Sequence, residues 1–255
     1  MKKIYEKQFT KEHLLECDKI RQIANKTFNL NSHNALCLIF QKIKELHKVE
    51  GDFIECGTWR GNTLIPTAMY SKETGYFLNK KLIGVDTFKG FPPTKNHHEK
   101  DLPSYFNVLY EEGKITKDNL DKAKKRTNNF KDTSFLENEY FSDVGEIFEN
   151  CKRFDNVSLI PKTFEEALPL INNKIAIVHI DSDLYESYLI CLNNLYENII
   201  DGGTIIFDEY YSHKYPGARV AVDEFFEDKS GYFEKYLTSE GHERWCFVKK
   251  SMRIG

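Results

Sequence analysis

Residues 175–187 read I-A-I-V-H-I-D-S-D-L-Y-E-S, and residues 202–211 read G-G-T-I-I-F-D-E-Y-Y. Each is a short apolar run that ends in carboxylates: Asp181 and Asp183 after the first, Asp208 and Glu209 after the second. Apolar runs without polar alternation are the pattern of parallel strands buried on both faces. Side by side, about 4.8 Å apart, two such strands bring three or four carboxylates to one sheet edge. Folding gains nothing from this, because like charges repel and desolvation is costly. A divalent cation accounts for it. Oxygen ligation without Cys or His suits Mg2+ or Mn2+ rather than zinc, with Asp181, Asp208 and Glu209 as ligands. Asp183 is left to act as a general base or to cap the helix that begins near Tyr185. Glu209 has a plain alternative as a solvated loop residue.

Working outward, strand and helix patterns alternate. Upstream, Asp52–Cys56 is a strand entering the turn G-T-W-R-G-N-T, followed by a helix through Ile65–Tyr70 that tolerates Pro66 in its first turn. Leu82–Asp86 is a second strand and Val157–Ile160 a third. Ser142 is placed to cap a helix carrying Val144, Ile147, Phe148 and Cys151. Downstream, a helix over 186–199 is expected to stop at Asp201-Gly202-Gly203, Thr204–Phe207 is a central strand, and 217–228 is helical. Tyr232–Leu237 and Trp245–Val248 read as an antiparallel pair around S-E-G-H-E. Residues 10–48 carry helical spacing, with Ser32 or Asn34 as a cap for the second helix. Residues 88–140 are polar and irregular, the signature of a functional lid or insertion. The sum is an α/β, doubly wound, mostly parallel sheet. We expect one domain over 1–255, with a helical extension at 1–48 and an insertion after the second strand.

The turn after the first strand holds Gly57 and Gly61, where backbone can approach a ligand and a helix N-terminus offers free N–H groups. Its spacing is not the G-x-G-x-x-G that cradles a pyrophosphate. Asp86 ends the next strand, where an acidic residue grips ribose hydroxyls. A ribose-bearing ligand without a pyrophosphate fits both facts, and S-adenosyl-L-methionine is the common one. A tight strand–helix turn explains the glycines equally well. Glu55 is harder to set aside, since an unpaired charge at the end of an apolar strand is costly.

Bulk properties narrow the classes. Among 255 residues, 40% are hydrophobic and 29% charged, with a net charge of −3, so nothing calls for nucleic acid or an anionic membrane. The six cysteines are scattered with no C-x-x-C pair, which argues against a zinc knuckle and fits a reducing cytoplasm. Neither a signal peptide nor a membrane span is expected. His97-His98 with Glu99 and Asp101 reads as a solvated run, Lys122–Arg126 as an exposed helix face, and His179 as a core histidine. Tyr210, Tyr211, His213 and Tyr215 either line a pocket or pack. The apolar residues of 10–48 serve an internal core or a homo-oligomer contact equally well.

Taken together, G-D-F-I-E-C-G-T-W-R-G, G-V-D-T-F-K-G-F-P, H-I-D-S-D-L-Y-E-S, D-G-G-T-I-I-F-D-E-Y and P-G-A-R-V-A-V-D-E-F resemble the macrocin O-methyltransferase family, over roughly residues 50–92 and 140–228. The resemblance implies an S-adenosylmethionine-dependent fold with a seven-stranded sheet whose last strand is antiparallel, and a Mg2+ site. It carries the metal aspartates onto Asp181 and Asp208, with Glu209 where the family usually has a second Asp. It carries the proposed base onto Asp183, the cofactor turn onto Glu55, Gly57, Thr58 and Gly61, and the ribose position onto Asp86. The implied acceptor is a small-molecule sugar, a GDP-linked heptose or hexose for capsule or other surface glycan. A small phosphorylated or phenolic acceptor is the near alternative. A nicotinamide-dependent sugar dehydrogenase or epimerase would need G-x-G-x-x-G after the first strand, and that turn lacks it. A non-catalytic binding module would have no use for intact acidic strand ends.

Overall fold

The computed structural model describes residues 2–33, 35–91, 97–137, 140–238 and 242–250. The strands are β1 (Ile4–Gln8), β2 (Asp52–Cys56), β3 (Leu82–Asp86), β4 (Val157–Pro161), β5 (Ile175–Ile180), β6 (Ile199–Phe207), β7 (Gly231–Leu237) and β8 (Glu243–Lys249). They form one sheet in the order β1-β7-β8-β6-β5-β2-β3-β4. Every pairing is parallel except those of β8, which runs antiparallel to both β6 and β7. The doubly wound α/β architecture and its reversed last strand are therefore as the sequence predicts. The sheet has eight strands rather than seven. The extra one, β1, adds to the edge beside β7 and is mostly exposed, so it carries no apolar signal by which to find it.

The helices are α1 (Lys11–Phe28), α2 (Leu36–Leu46), α3 (Leu64–Thr74), α4 (Tyr105–Glu111), α5 (Lys117–Arg126), α6 (Val144–Cys151), α7 (Phe164–Ala167), α8 (Tyr185–Leu195) and α9 (Pro216–Phe225). Alternate side chains of the central strands feed two cores, one on each face. Ile54, Cys56, Val178, Ile180 and Phe207 meet α8 and α9, while Phe53, Leu82 and Ile206 meet α1, α2 and α3. Leu36, Leu38, Ile39, Phe40 and Ile43 of α2 are fully buried there. At roughly 1.5–3 kcal/mol for each such side chain, α2 is a structural layer of the sheet.

Local differences from the sequence reading have simple causes. Residues 88–140 contain α4 and α5 as well as short 3-10 turns, and they make a small core of their own from Phe106, Leu109, Ile115, Leu120 and Ala123 against Val220 of α9. Pro92 and Pro93 of this segment, Asn34 as a helix cap, and Ser239–Gly241 of the last hairpin lie outside the described residues. Ser32 is buried and does not cap α2, which starts without a side-chain cap. Asp143, not Ser142, caps α6 by accepting from the N–H groups of Gly145 and Glu146, and Ser142 instead donates to the Trp59 carbonyl. Asp201-Gly202-Gly203 does not end a helix. α8 stops at Leu195 and β6 already begins at Ile199, because a glycine pair that permits a stop also permits the start of a buried strand. Among the described residues no helix is long and apolar enough to cross a membrane.

Candidate active site

The carboxyl ends of β2, β3, β5 and β6 open onto one cavity of about 1450 Å³. Asp181, Asp183, Asp208 and Glu209 line it, as do Gly57, Thr58 and Asp86. Register explains the convergence. His179 pairs with Glu55 on β2 and with Ile206 on β6, so Asp181 and Asp208, each two residues further on, emerge side by side on the same face. One carboxylate oxygen from each of Asp181, Asp208 and Glu209 can be chosen so that all lie within 4.8 Å of one another.

The electrostatics of this triad are uneven. Burial, with the charges of Asp208 and Asp183, holds the Asp181 carboxyl well above its ordinary range. Burial and the neighbouring Asp181 and Asp208 do the same to Glu209. Burial would raise Asp208 too, but Arg244 and His179 outweigh it and hold Asp208 below the usual carboxylate range. Arg244, from the start of β8, sits 3.4 Å from Asp208. Glu209 is buried rather than solvated, and the Tyr188 hydroxyl donates to its carboxylate at 2.6 Å while accepting from its backbone N–H at 3.2 Å. Three oxygen donors from carboxylates that repel one another when ionised suit a hard divalent cation, so the donor set fits Mg2+ or Mn2+.

Asp183 does not cap α8. The N-cap position is Leu184, without a side-chain bond, and the Tyr185 N–H is taken instead by Asp101 at 2.8 Å. Asp183 itself adopts a left-handed backbone, φ +61°, which is uncommon for a residue with a side chain and is found at functional positions. Burial pushes its carboxyl up to about 7, with Lys214 and a hydrogen bond from Tyr215 pulling it back and Asp208 raising it.

The predicted cofactor residues divide into two groups. Gly57, Thr58 and Asp86 line the cavity; Glu55 and Gly61 do not. Glu55 is 1% exposed, and His179 Nδ1 lies 3.1 Å from its carboxylate. It stiffens the β2–β5 seam beneath the site. The glycines are required by the fold itself. A Cβ at Gly57 (φ +93°) would stand 1.7 Å from the Asp181 carbonyl oxygen, and one at Gly61 (φ +77°) would stand 2.8 Å from the Ile65 side chain. Asp86 accepts from the N–H groups of Trp59 and Phe88, both at 2.7 Å, which locks the turn to β3. The Trp59 indole N–H faces no acceptor among the described residues although it is buried, and Trp59 lines the cavity. A polar wall of turn backbone, Thr58, Asp86 and an unsatisfied indole N–H beside the acidic triad fits a ribose-bearing methyl donor.

Other sequence signals are reassigned. Tyr211, His213 and Tyr215 line the cavity, whereas Tyr210 is buried and bonds to Asp223. His98 stacks on Tyr185, Lys100 bonds to Tyr185 and Glu224, and Asp101 is buried, so the H-H-E-K-D run clasps the insertion to α8 and α9. Lys122, Lys125 and Arg126 form an exposed helix face, as the sequence reading expects, and that face also lines the cavity. Sequence reasoning missed Tyr188 and Arg244. Tyr188 had a signal, a tyrosine on the buried stripe of a helix whose hydroxyl needs a partner; Arg244 had none.

A profile of the macrocin-O-methyltransferase (TylF) family matches residues 34–148 and 142–232. Among curated proteins, a 26% identical relative over 164 residues is 8-demethyl-8-(2,3-dimethoxy-alpha-L-rhamnosyl)-tetracenomycin-C 4'-O-methyltransferase of Streptomyces olivaceus, with 64% of this chain and 54% of the relative covered. Demethyldecarbamoylnovobiocin O-methyltransferase of Streptomyces niveus is 26% identical over 182 residues, covering 70% and 59%. Mycinamicin III 3''-O-methyltransferase of Micromonospora griseorubida is 26% identical over 196 residues, covering 74% and 65%. The chain thus spans between about half and two thirds of the length of these relatives. Among solved structures, the O-methyltransferase NovP superposes with a TM-score of 0.64 at 19% identity, covering 94% of this chain and 100% of that one. The calicheamicin methyltransferase CalS11 gives 0.59 at 17%, covering 93% and 91%. These structural likenesses establish the fold.

Proposed function

The chain belongs to the macrocin-O-methyltransferase family, and from that premise we propose that it transfers a methyl group from S-adenosyl-L-methionine to a sugar hydroxyl with the help of a divalent cation. The observation that carries this reading is the convergence of Asp181, Asp208 and Glu209 on the wall of a cavity that also takes in Gly57, Thr58 and Asp86. The curated relatives support it by their names, one of which specifies a rhamnosyl-bearing substrate.

When bound, S-adenosyl-L-methionine supplies an electrophilic methyl group, and Mg2+ or Mn2+ acidifies a hydroxyl held against it. Asp181, Asp208 and Glu209 would hold the cation, and Thr58, Asp86 and the turn at Gly57 the donor. Asp183 then takes the hydroxyl proton onto its carboxylate, as a general base whose pKa sits near working pH. Tyr215 and Lys214 steady that carboxylate. Much of the rate comes from holding acceptor and donor in one cavity.

The acceptor we propose is a nucleotide-activated sugar such as a GDP-heptose, made in the cytoplasm for capsule or other surface polysaccharide. The six cysteines, all free and buried, suit that reducing compartment. The test is mass spectrometry of a nucleotide-sugar panel, with phosphorylated and phenolic compounds alongside, after incubation with donor and Mg2+. We expect one acceptor to gain a single methyl group, EDTA to abolish the gain and Mg2+ to restore it. Asp183→Asn is expected to lower turnover by about 10²–10⁴-fold while S-adenosylhomocysteine still binds. Full activity in EDTA refutes the metal role. No methylated product, with no binding of S-adenosylhomocysteine, refutes the whole reading.

A further inference from the structure

The exposed face of α5 is a built part of the cavity. Leu120 and Ala123 bury one side of this helix in the satellite core with Phe106, Leu109 and Val220. On the opposite side, Lys122, Lys125 and Arg126, spaced i, i+3 and i+4, line the cavity. Asn119 fixes the helix over the site, since its amide donates to the Tyr211 hydroxyl at 3.2 Å and its oxygen lies 3.2 Å from His213 Nε2. Both partners belong to the loop that follows Asp208 and Glu209.

Charge then indicates what this wall faces. Lys122 is already paired with Asp118 at 2.7 Å. Lys125 and Arg126 have no ion-pair partner among the described residues. The net charge of the chain is −3, so these cations are a local feature and not part of a general basic surface. The cavity, about 1450 Å³, exceeds the roughly 300–1,000 Å³ of a site for one drug-sized ligand, which leaves room for a second molecule beside the donor. A neutral sugar would offer these two exposed cations no charge partner. A phosphate would meet a forked guanidinium and a point-charge ammonium together, the pairing suited to phosphate oxygens.

We infer that Lys125 and Arg126 of α5 bind a phosphate or diphosphate group carried by the acceptor. This rests on the proposed function in one respect, that acceptor and donor share the cavity. A sugar 1-phosphate and a nucleoside-diphosphate sugar offer the same chemistry, and the test separates them.

Calorimetric titration of the full chain with GDP-mannose, mannose 1-phosphate and methyl mannoside, with and without S-adenosylhomocysteine, reads the site directly. One or both phosphorylated probes should bind at least about tenfold more tightly than the neutral glycoside. The double variant Lys125→Ala/Arg126→Ala should lose about tenfold or more toward them, at an unchanged melting temperature and unchanged affinity for S-adenosylhomocysteine. Lys125→Arg should retain binding. A preference for GDP-mannose over mannose 1-phosphate assigns the diphosphate, and equal binding assigns a single phosphate. The inference is overturned if methyl mannoside binds as tightly, if neither phosphorylated probe binds, or if the double variant binds like the parent. Failure of S-adenosylhomocysteine to bind strikes instead at the methyltransferase reading, while the titrations without it still report on α5.

Discussion

The carboxylate of Asp101 accepts the backbone N–H of Tyr185 at 2.8 Å across 84 residues of chain, so the first turn of α8 is capped by the insertion rather than by its own flanking sequence. Asp183, two residues before the start of α8, is thereby left to the cavity. This hydrogen bond is one of several contacts, with those of Lys100 and Asn119, that join the insertion to the carboxyl edge of the sheet.

Removing that bond should be measurable. Asp101→Ala is expected to cost about 0.5–2 kcal/mol, the usual worth of an N-cap, whereas Asp101→Asn keeps an acceptor and costs less. Burial pushes the Asp101 carboxyl up to about 7. A folded-state value above the unfolded one means that its protonated form favours the fold, so this contribution is complete below about 4 and fades as pH rises through 7. Chemical denaturation from pH 4 to 8 should show that slope in the parent and a shallower one in Asp101→Asn; equal slopes would count against it.

Cation binding should be proton-linked. Asp181 and Glu209 both sit above their ordinary range, so they must give up protons to ligate a metal. Mg2+ is therefore expected to raise the melting temperature more at pH 8 than at pH 6, by an amount equivalent to about 2.7 kcal/mol when its concentration is 100 times its dissociation constant. Asp181→Ala and Asp208→Ala should abolish the shift. A shift that survives both, or that does not grow with pH, would place the cation elsewhere.

Tyr188 should act on the metal without touching it. Its hydroxyl holds Glu209 at 2.6 Å, the kind of outer contact that orients a ligand. Tyr188→Phe is expected to weaken Mg2+ affinity by about 10–100-fold while leaving S-adenosylhomocysteine affinity unchanged. Equal losses for both ligands in calorimetry would mean that the substitution merely loosens the fold.

Far from the cavity, Lys42 and Glu234 form an ion pair with both side chains at most 5% exposed. Burial opposes the Glu234 charge, but Lys42 outweighs it and holds the carboxyl below its ordinary 4.5. The stability this gives is present above the unfolded value and is lost as pH falls through the lower folded one. Lys42→Ala should destabilise the fold, but by less than the about 3–5 kcal/mol of a buried charge left alone, because Lys7 stays 3.5 Å from Glu234 and the Tyr236 hydroxyl donates to it; Lys42→Met/Glu234→Gln should cost less still. Urea midpoints at pH 6 and pH 3 should drop further in the parent than in the double variant.

What the sequence disclosed follows from where the information lies. β5 and β6 announce themselves because they are buried on both faces, and Asp181 and Asp208 stand out because a charge ends each run. β1 is invisible because an exposed edge strand satisfies no apolar pattern. The reach from Arg244 to Asp208, the Asn119 bridge and the Asp101 cap join segments distant in sequence, and no local spacing encodes them. Lys122–Arg126 is basic in any reading. Only the burial of Leu120 and Ala123 on the other side of the helix shows which way that basic face is turned.

The reversal of β8 has a consequence for how such a site can diversify. Because this strand alone runs against the rest, its beginning, not its end, arrives at the carboxyl edge, bringing His242, Glu243 and Arg244 to the cavity wall. His242, at the start of the strand, therefore stands on the rim of the site, while Trp245–Val248, which pair with β6, lie beyond. Substitutions at His242 and Glu243 would reshape what the cavity admits while the β6 pairing of Trp245–Val248 stays intact, so the lining here can vary independently of the frame that carries it.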